Sequence, residues 1–391
     1  MRIVRRALGY ALNRALITAL AVCLASASPV AVRSQDPDAT WPSRIVDLPE
    51  TAVQDKAPVV TTLCLQPEGP LLATAGDDHL VRIWDTQSGE LLYRLSEHAD
   101  WVRALAFSPD GRLLASGGND RQILLWDPYR GEKDRVVAEL PQAIAGLAFS
   151  PDGKLLAAVG FDETLRLYET GTWKLAKKLE CPSGDVRAVA FSPDGTILAA
   201  GGRSGVVRTW SSQSWKVLRD VPAHERRVRG LAFSPDGSLL ASCGEDGVVR
   251  FVRVTGDAAP TGAEVARTGG ETEEVTADAA VVQLSARPVK LLAIAPCGAG
   301  LWATGGSDNA IRLWDIATRK LVGQLQGHTG SVVALDCRDG VLVSGSYDTT
   351  VRVWNVDDAT SKPRTAADAE NTEETPVRVG EAAARTSARG R

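Results

Sequence analysis

An all-β ring of seven four-stranded units is the fold this sequence predicts. Three observations carry it. The stretch LAFSPDG begins at Leu105 and returns at Leu147, at Val189 (as VAFSPDG) and at Leu231, always 42 residues on. A strand-ending aromatic keeps the same interval at Trp84, Trp126, Tyr168 and Trp210. Within each unit, short alternating apolar runs are broken by turn residues. A fixed internal period marks a chain that grows as one repeat body, which overrides the two or three domains its 391 residues would otherwise suggest.

The unit Leu91–Asp127 shows each element in turn. LLYRL reads as a strand, and VRALAF as a half-buried strand after it. SPDG follows. Its Pro is pre-set for the second position of a type I turn, Asp suits the third, and Gly follows where positive φ is common, so it is a hairpin connection. LLASGG is the next strand, NDRQ a turn, and ILLW the strand after that. Four short strands cannot bury both faces alone. Stacking such units around an axis does, and leaves only short protected edges, which makes the ring a β-propeller of antiparallel blades.

The beat continues at Val252, then at Trp314 and Trp354, which gives seven units. Its irregularities have visible causes: an inserted stretch at 257–280, a hairpin APCGAG one residue longer, and a hairpin CRDG two residues shorter. AAVVQL at 279–284 reads as an outer strand. SRIVDLP at 43–49 is an orphan strand, and no fourth strand follows Trp354. The economical solution has residues 44–48 supply the outer strand of the last blade and so close the ring.

These units resemble the WD-repeat propeller family over residues 43–356. The carrying residues are IWD at 83–85, LWD at 125–127 and 313–315, VWN at 353–355, EH at 97–98 and GH at 327–328. The resemblance disposes of a tempting enzyme reading. His98, Ser116 and Asp120 recur in register as His224, Ser242 and Asp246, and as His328, Ser344 and Asp348, like three catalytic triads. In the family such residues form a structural hydrogen-bond network with the strand-ending Trp, here Trp126 and Trp354, with Val252 breaking the middle set. A nucleophile would also need an oxyanion site and a pocket, and the sequence marks neither. Other units are degraded: Thr74, Asp78, Trp84 and Thr304, Asp308, Trp314 lack the His, Ala158 and Ala200 replace the hydroxyl, and Ser204 replaces the Asp. Blades 3 and 4 are therefore expected to be less rigid.

In such propellers one rim gathers the loops entering each inner strand and those between second and third strands. The slots there that are neither apolar repeat positions nor turn formers hold Trp101, Arg103, Phe161, Asp185, Arg187, Arg203, Arg226, Arg227, Arg229, Glu245 and Tyr347. Five are Arg from blades 4 and 5, and Arg and Trp are enriched at interface hot spots. This predicts a basic patch on those two blades for an acidic or peptide-like partner, with solvated surface charges as the alternative.

The first 27 residues carry Arg2, Arg5, Arg6 and Arg14, then an apolar run ending in Ala25-Ser26-Ala27, the pattern of a secretory signal peptide. Cleavage predicts an extracytoplasmic protein, periplasmic or secreted. An uncleaved segment would instead tether it to a membrane. Residues 28–42 read as a linker, and the segments 257–280 and 357–391 as disordered, given few large apolar residues. Removing residues 1–27 moves the formal charge from −4 to −8, which disfavours nucleic acid as a partner. The five remaining Cys, at 64, 181, 243, 297 and 337, are widely spaced with no Cys-x-x-Cys, and read as small buried residues, with disulfides as the alternative in an oxidising compartment. No metal or cofactor motif appears. The function predicted is a non-enzymatic, exported protein-interaction scaffold. The alternative, a ligand-binding or enzymatic propeller using the central channel, would need convergent polar groups in a pocket; clustered carboxylates or His in the channel lining would favour it, small and apolar residues the scaffold.

Overall fold

The computed structural model describes residues 43–48, 57–254, 282–286, 288–298 and 300–356. The expected signal segment, linker, insertion and tail lie outside the described residues. Seven four-stranded antiparallel sheets form, each a blade. Their inner strands are Val60–Leu65, Val102–Phe107, Ile144–Phe149, Val186–Phe191, Val228–Phe233, Leu291–Pro296 and Val332–Arg338. Each inner strand touches the next, and the last touches the first, so they enclose a central channel. In blade 5 the outer strand is Val282–Ser285, paired with Val248–Arg253. In blade 7 the fourth strand is Ser43–Asp47, antiparallel to Thr350–Asn355, with Ser43 opposite Trp354 and Asp47 opposite Thr350.

The core lies between blades rather than within them. Seven apolar clusters each straddle two neighbours: Leu71, Ile83 and Trp126 join blades 1 and 2, for example, while Leu48, Val60, Trp84 and Val351 join blades 7 and 1. A blade alone would expose both apolar faces, so burial drives the ring as a whole.

SPDG makes the same structure four times. The Ser108 hydroxyl donates to Asp110 Oδ1 over 2.6 Å and accepts from the Leu113 amide at 2.9 Å, while the Arg112 amide donates to Asp110 at 3.1 Å. Ser150, Ser192 and Ser234 repeat this with Asp152, Asp194 and Asp236. Gly111 sits at φ 67°, where a Cβ would strain the turn. Hydrogen bonds led by the Ser234 hydroxyl hold the Asp236 carboxyl down at about 2.

The repeated His, Ser and Asp form chains that end on Trp. Trp126 Nε1 donates to Ser116 Oγ at 2.7 Å, Ser116 Oγ lies 2.6 Å from His98 Nε2, and His98 Nδ1 lies 2.6 Å from Asp120. In blade 7, Trp354, Ser344, His328 and Asp348 repeat it at 2.8, 2.7 and 2.8 Å. In blade 5, Ser242, His224 and Asp246 connect at 2.9 Å and 2.9 Å, with Val252 in the Trp position. Blades 1 and 6 keep the Trp-to-Thr bond, from Trp84 to Thr74 and from Trp314 to Thr304. Where the His is missing, an Arg four residues after the Asp takes its place: Arg82 on Asp78, Arg166 on Asp162 and Arg312 on Asp308. Blade 3 therefore has a fork-shaped ion pair that the missing hydroxyl concealed, whereas Arg208 of blade 4 pairs with Asp220 of its outer strand.

The sequence left the disulfide state of the five cysteines open. Cys297, just after the inner strand of blade 6, and Cys337, in that of blade 7, form a disulfide, and Cys64, Cys181 and Cys243 are free. The two bonded residues are 40 apart, close to one repeat. Such a spacing brings equivalent ends of neighbouring inner strands together, which linear motifs do not reveal.

Candidate functional site

The hydroxyls in the three triad-like sets are out of reach of any substrate. Ser116 and Ser344 are fully buried and Ser242 nearly so. Each of Ser116 and Ser344 already accepts an indole N–H and bonds a His nitrogen. The chain from indole to carboxylate satisfies its buried polar atoms in sequence, which is a structural role. Burial works against ionisation of Asp120, but its hydrogen bond from His98 and their charge attraction outweigh it and hold the carboxyl below the usual range. Asp246 and Asp348 are lowered against the same opposition, by His224 and His328.

The loop rim is built by a repeated backbone bond. The residue after each second strand donates to a carbonyl in the loop entering the inner strand: Asn119 to Trp101, Phe161 to Ala143, Arg203 to Asp185, Glu245 to Arg227 and Tyr347 to Ser331. In blades 2 to 5 the second strand ends in Gly where this carbonyl approaches, and a Cβ on Gly202 would lie 2.3 Å from the Asp185 oxygen. In blade 7 Ser346 holds the position. Two loops per blade are thereby fixed side by side, and their side chains are held in place.

On that rim the side chains form one continuous chain across four blades. The Arg103 guanidinium lies 5.3 Å from the Trp101 ring centroid and 5.7 Å from that of Phe161. Arg187 lies over the same Phe161 ring, 4.0 Å from its centroid. Asp185 pairs with Arg187 and, at 2.9 Å, with Arg227. Glu245 pairs with Arg227 at 3.1 Å and with Arg229 at 3.6 Å. The order is therefore Trp101, Arg103, Phe161, Arg187, Asp185, Arg227, Glu245, Arg229. Burial works against the Arg227 cation, but Glu245 and Asp185 outweigh it and raise its pKa.

Two expectations change in detail. The patch on blades 4 and 5 is not simply basic, because Asp185 and Glu245 alternate with its arginines, and it extends through Phe161 to Arg103 of blade 2. Arg203 and Arg226 lie on the same loops but are exposed, and among the described residues neither side chain enters the cluster. Tyr347 faces it from blade 7 and lines the channel mouth with Arg103, Arg187 and Arg229.

A bulge in the inner strand aims those three arginines. Pairing slips between Val102 and Ala104, between Val186 and Ala188, and between Val228 and Gly230. The residue left out of the ladder is Arg103, Arg187 or Arg229, and bulges of this kind re-aim a side chain. The same position holds Thr61 in blade 1, Ala145 in blade 3, Leu292 in blade 6 and Val333 in blade 7. All seven line one cavity of about 220 Å³ at the channel mouth, deepened by Leu63, Leu231, Ile294 and Leu335. Among the described residues its lining holds no carboxylate and no His. Sequence reasoning missed this cavity. The recurrence of Arg103, Arg187 and Arg229 in one column of the 42-residue repeat was the available signal.

A closed ring of seven four-stranded blades, a Trp–Ser–His–Asp network inside the blades and side chains gathered on the loop rim define a WD-type β-propeller. The family model "WD domain, G-beta repeat" matches residues 51–85, 89–127, 135–169, 173–211, 215–252 and 319–355, together more than half of the chain. The chain belongs to this WD-repeat family, whose propellers generally serve as non-enzymatic protein-interaction scaffolds. Six windows match while seven blades form, and the strands Leu291–Pro296, Leu301–Gly306 and Ile311–Asp315 of blade 6 fall between windows.

Similarity to individual proteins is local. Mitochondrial division protein 1 of Pyricularia oryzae is 38% identical over 64 residues, 16% of this chain and 10% of its own. Cell division control protein 4 of Saccharomyces cerevisiae is 50% identical over 54 residues, 14% and 7% of the two chains. The U3 snoRNP-associated protein-like protein EMB2271 of Arabidopsis thaliana is 48% identical over 60 residues, 15% and 12% of the two. The chain thus spans about a tenth of the length of the curated relatives it matches.

Proposed function

We propose that this protein is a non-enzymatic interaction scaffold that receives an acidic or peptide-like protein segment on the loop rim of blades 2 to 5. The chain of side chains from Trp101 to Arg229 carries this reading. It presents aromatic faces and guanidiniums side by side, held by backbone bonds before any partner arrives. Groups of this type, pre-positioned and partly desolvated, are the ones that dominate protein interfaces. Arg adds bidentate recognition of carboxylates, which Lys would not give.

The same reading places the protein outside the cytoplasm. Two observations support it: the basic, apolar and Ala-Ser-Ala pattern of residues 1–27, and the Cys297–Cys337 disulfide, a bond that persists in oxidising compartments. The test is capture of partners from the extracytoplasmic fraction of the source cells. Wild-type protein and the triple variant Arg187→Glu, Arg227→Glu, Arg229→Glu are immobilised side by side. A partner held by the first and released by the second is the expected result. Identical retention by both would reject the docking face.

A further inference from the structure

The channel mouth separates charge from apolar surface by depth. Arg103, Arg187 and Arg229 stand at the start of their inner strands, next to the rim loops. Leu63, Leu231, Ile294 and Leu335 lie two residues further along the inner strands of blades 1, 5, 6 and 7 than the bulge positions there, and form the floor of the same cavity. The guanidiniums are close enough to repel one another. Burial lowers the pKa of Arg103, with Tyr347 and Asp100 opposing and Arg229 repelling it; burial lowers Arg187 too, with Asp185 opposing and Arg229 and Arg227 repelling it. The partners of Arg103 and Arg187 engage their Nε atoms, Asn119 Oδ1 in the first case and Asp185 in the second. The planar fork of paired Nη atoms on each guanidinium has the geometry that suits a carboxylate.

We propose that this cavity binds a carboxylate carrying an apolar tail, and that the C-terminal residue of a partner polypeptide is its source. The inference rests on the reading of the rim as a docking face and names what enters it. A terminal carboxylate sits on the three guanidiniums while its own apolar side chain descends to the leucine floor. Preceding residues leave across Trp101 and Tyr347, which are 38% and 46% exposed. Other ligands fit less well. A Glu side chain carries its charge at the tip, which would drive a carboxylate into the apolar floor. Inorganic phosphate has no group to cover that floor. A neutral apolar group would offer the guanidinium donors no acceptor. About 220 Å³ is room for one residue, not for a folded segment. Capture of a C-terminal carboxylate is a recurring mode of peptide recognition, usually by backbone groups, and here arginine side chains take that part.

Saturation-transfer NMR on the full chain tests this with N-acetyl-leucine, N-acetyl-leucinamide and inorganic phosphate as probes. A second arm uses a hexapeptide ending in a free leucine carboxylate and the same hexapeptide amidated. The expected result is transfer to the leucine methyls of the acid, with the amide weaker by about tenfold or more, the loss of one charge-assisted hydrogen-bonded pair. Arg229→Met removes binding of the acid, and Arg103→Met does the same if the first variant unfolds. The hexapeptide acid binds more tightly than N-acetyl-leucine. Equal binding of acid and amide would overturn the proposal, as would phosphate binding with both leucine probes silent. Equal affinity for N-acetyl-leucine and the hexapeptide acid would overturn the polypeptide source in favour of a free small acid. If no probe binds while the triple variant still loses its partner, the carboxylate cavity falls and the docking rim stands.

Discussion

The Arg187 guanidinium carbon lies 4.0 Å from the centroid of the Phe161 ring, a contact that crosses from blade 4 to blade 3. Phe161 also lies 5.7 Å from the Arg103 guanidinium of blade 2. One aromatic ring thus organises two cations from the blades on either side of it. Phe161→Ala is expected to release both arginines and weaken partner binding by about five- to thirtyfold, the equivalent of ~1–2 kcal/mol for two cation–π contacts. The fold should be almost unaffected, because Phe161 lies on the rim and not in an inter-blade cluster. Affinity measured beside a thermal melt separates the two effects.

The buried fork in blade 1 is expected to matter far more for stability. Arg82 and Asp78 are both almost wholly buried, and Arg82 bonds Asp78 through both terminal nitrogens. Arg82→Met leaves a carboxylate buried without its cation, at a cost of about 3–5 kcal/mol. Arg312→Met, whose partner Asp308 is partly exposed, should cost less. Urea unfolding of the two variants against wild type reads the difference.

Ser116→Ala strands two groups at once, the Trp126 indole N–H and His98 Nε2. A loss of about 1–3 kcal/mol for each unsatisfied group is expected, short of full additivity because the two share one partner. Ser242→Ala in blade 5, where Val252 replaces the indole, strands only His224 and should cost about half as much. Denaturant midpoints test the ratio, and a catalytic role for these serines would appear as lost turnover with unchanged midpoints.

The lowered carboxyls set the acid limit of the fold. Asp120, Asp246 and Asp348 lie below the ordinary range in the folded protein, so each contributes stability above the unfolded value of about 3.9 and loses it as pH falls through the folded value. Stability with respect to these groups is therefore flat at neutral pH and declines from about pH 4 downward. Asp348→Asn should be less stable at pH 7 and show a shallower decline in acid. Urea midpoints measured between pH 7 and pH 3 decide it.

The thiols divide by environment. Burial pushes Cys181 and Cys243 up to about 12, so both should resist alkylation at pH 8 in the native protein. Cys297 and Cys337 should be recovered as one cross-linked pair by mass mapping without reductant. Reduction is expected to lower stability by about 2–4 kcal/mol, given the 40-residue separation they span. Labelling of all five in the native state would contradict the assignment.

The blades were legible because their signals are local and repeated. SPDG prescribes a turn through Pro and Gly, the strand-ending Trp marks the third strand, and four near-identical copies leave little room for a second interpretation. Rim residues could be picked out for the same reason, since a known period fixes which slots fall in loops. Pairings between blades were not legible. Nothing in the spacing shows that Asp185 reaches Arg227, that Arg82 substitutes for a missing His, or that Cys297 meets Cys337, because each depends on side-chain direction across an interface. The bulge that turns Arg103, Arg187 and Arg229 toward the channel is a backbone irregularity within a regular apolar pattern, and only the pairing register exposes it.

The central claim is that one rim of the ring, and not the other, docks a partner. It is tested most directly by binding affinity measured for two variants on opposite rims. Phe161→Ala with Arg187→Glu alters the loop rim, and Arg112→Glu with Lys154→Glu alters the hairpin rim formed by the SPDG turns. Loss of partner affinity in the first alone is the predicted result. Equal loss in both, or loss only in the second, would contradict it.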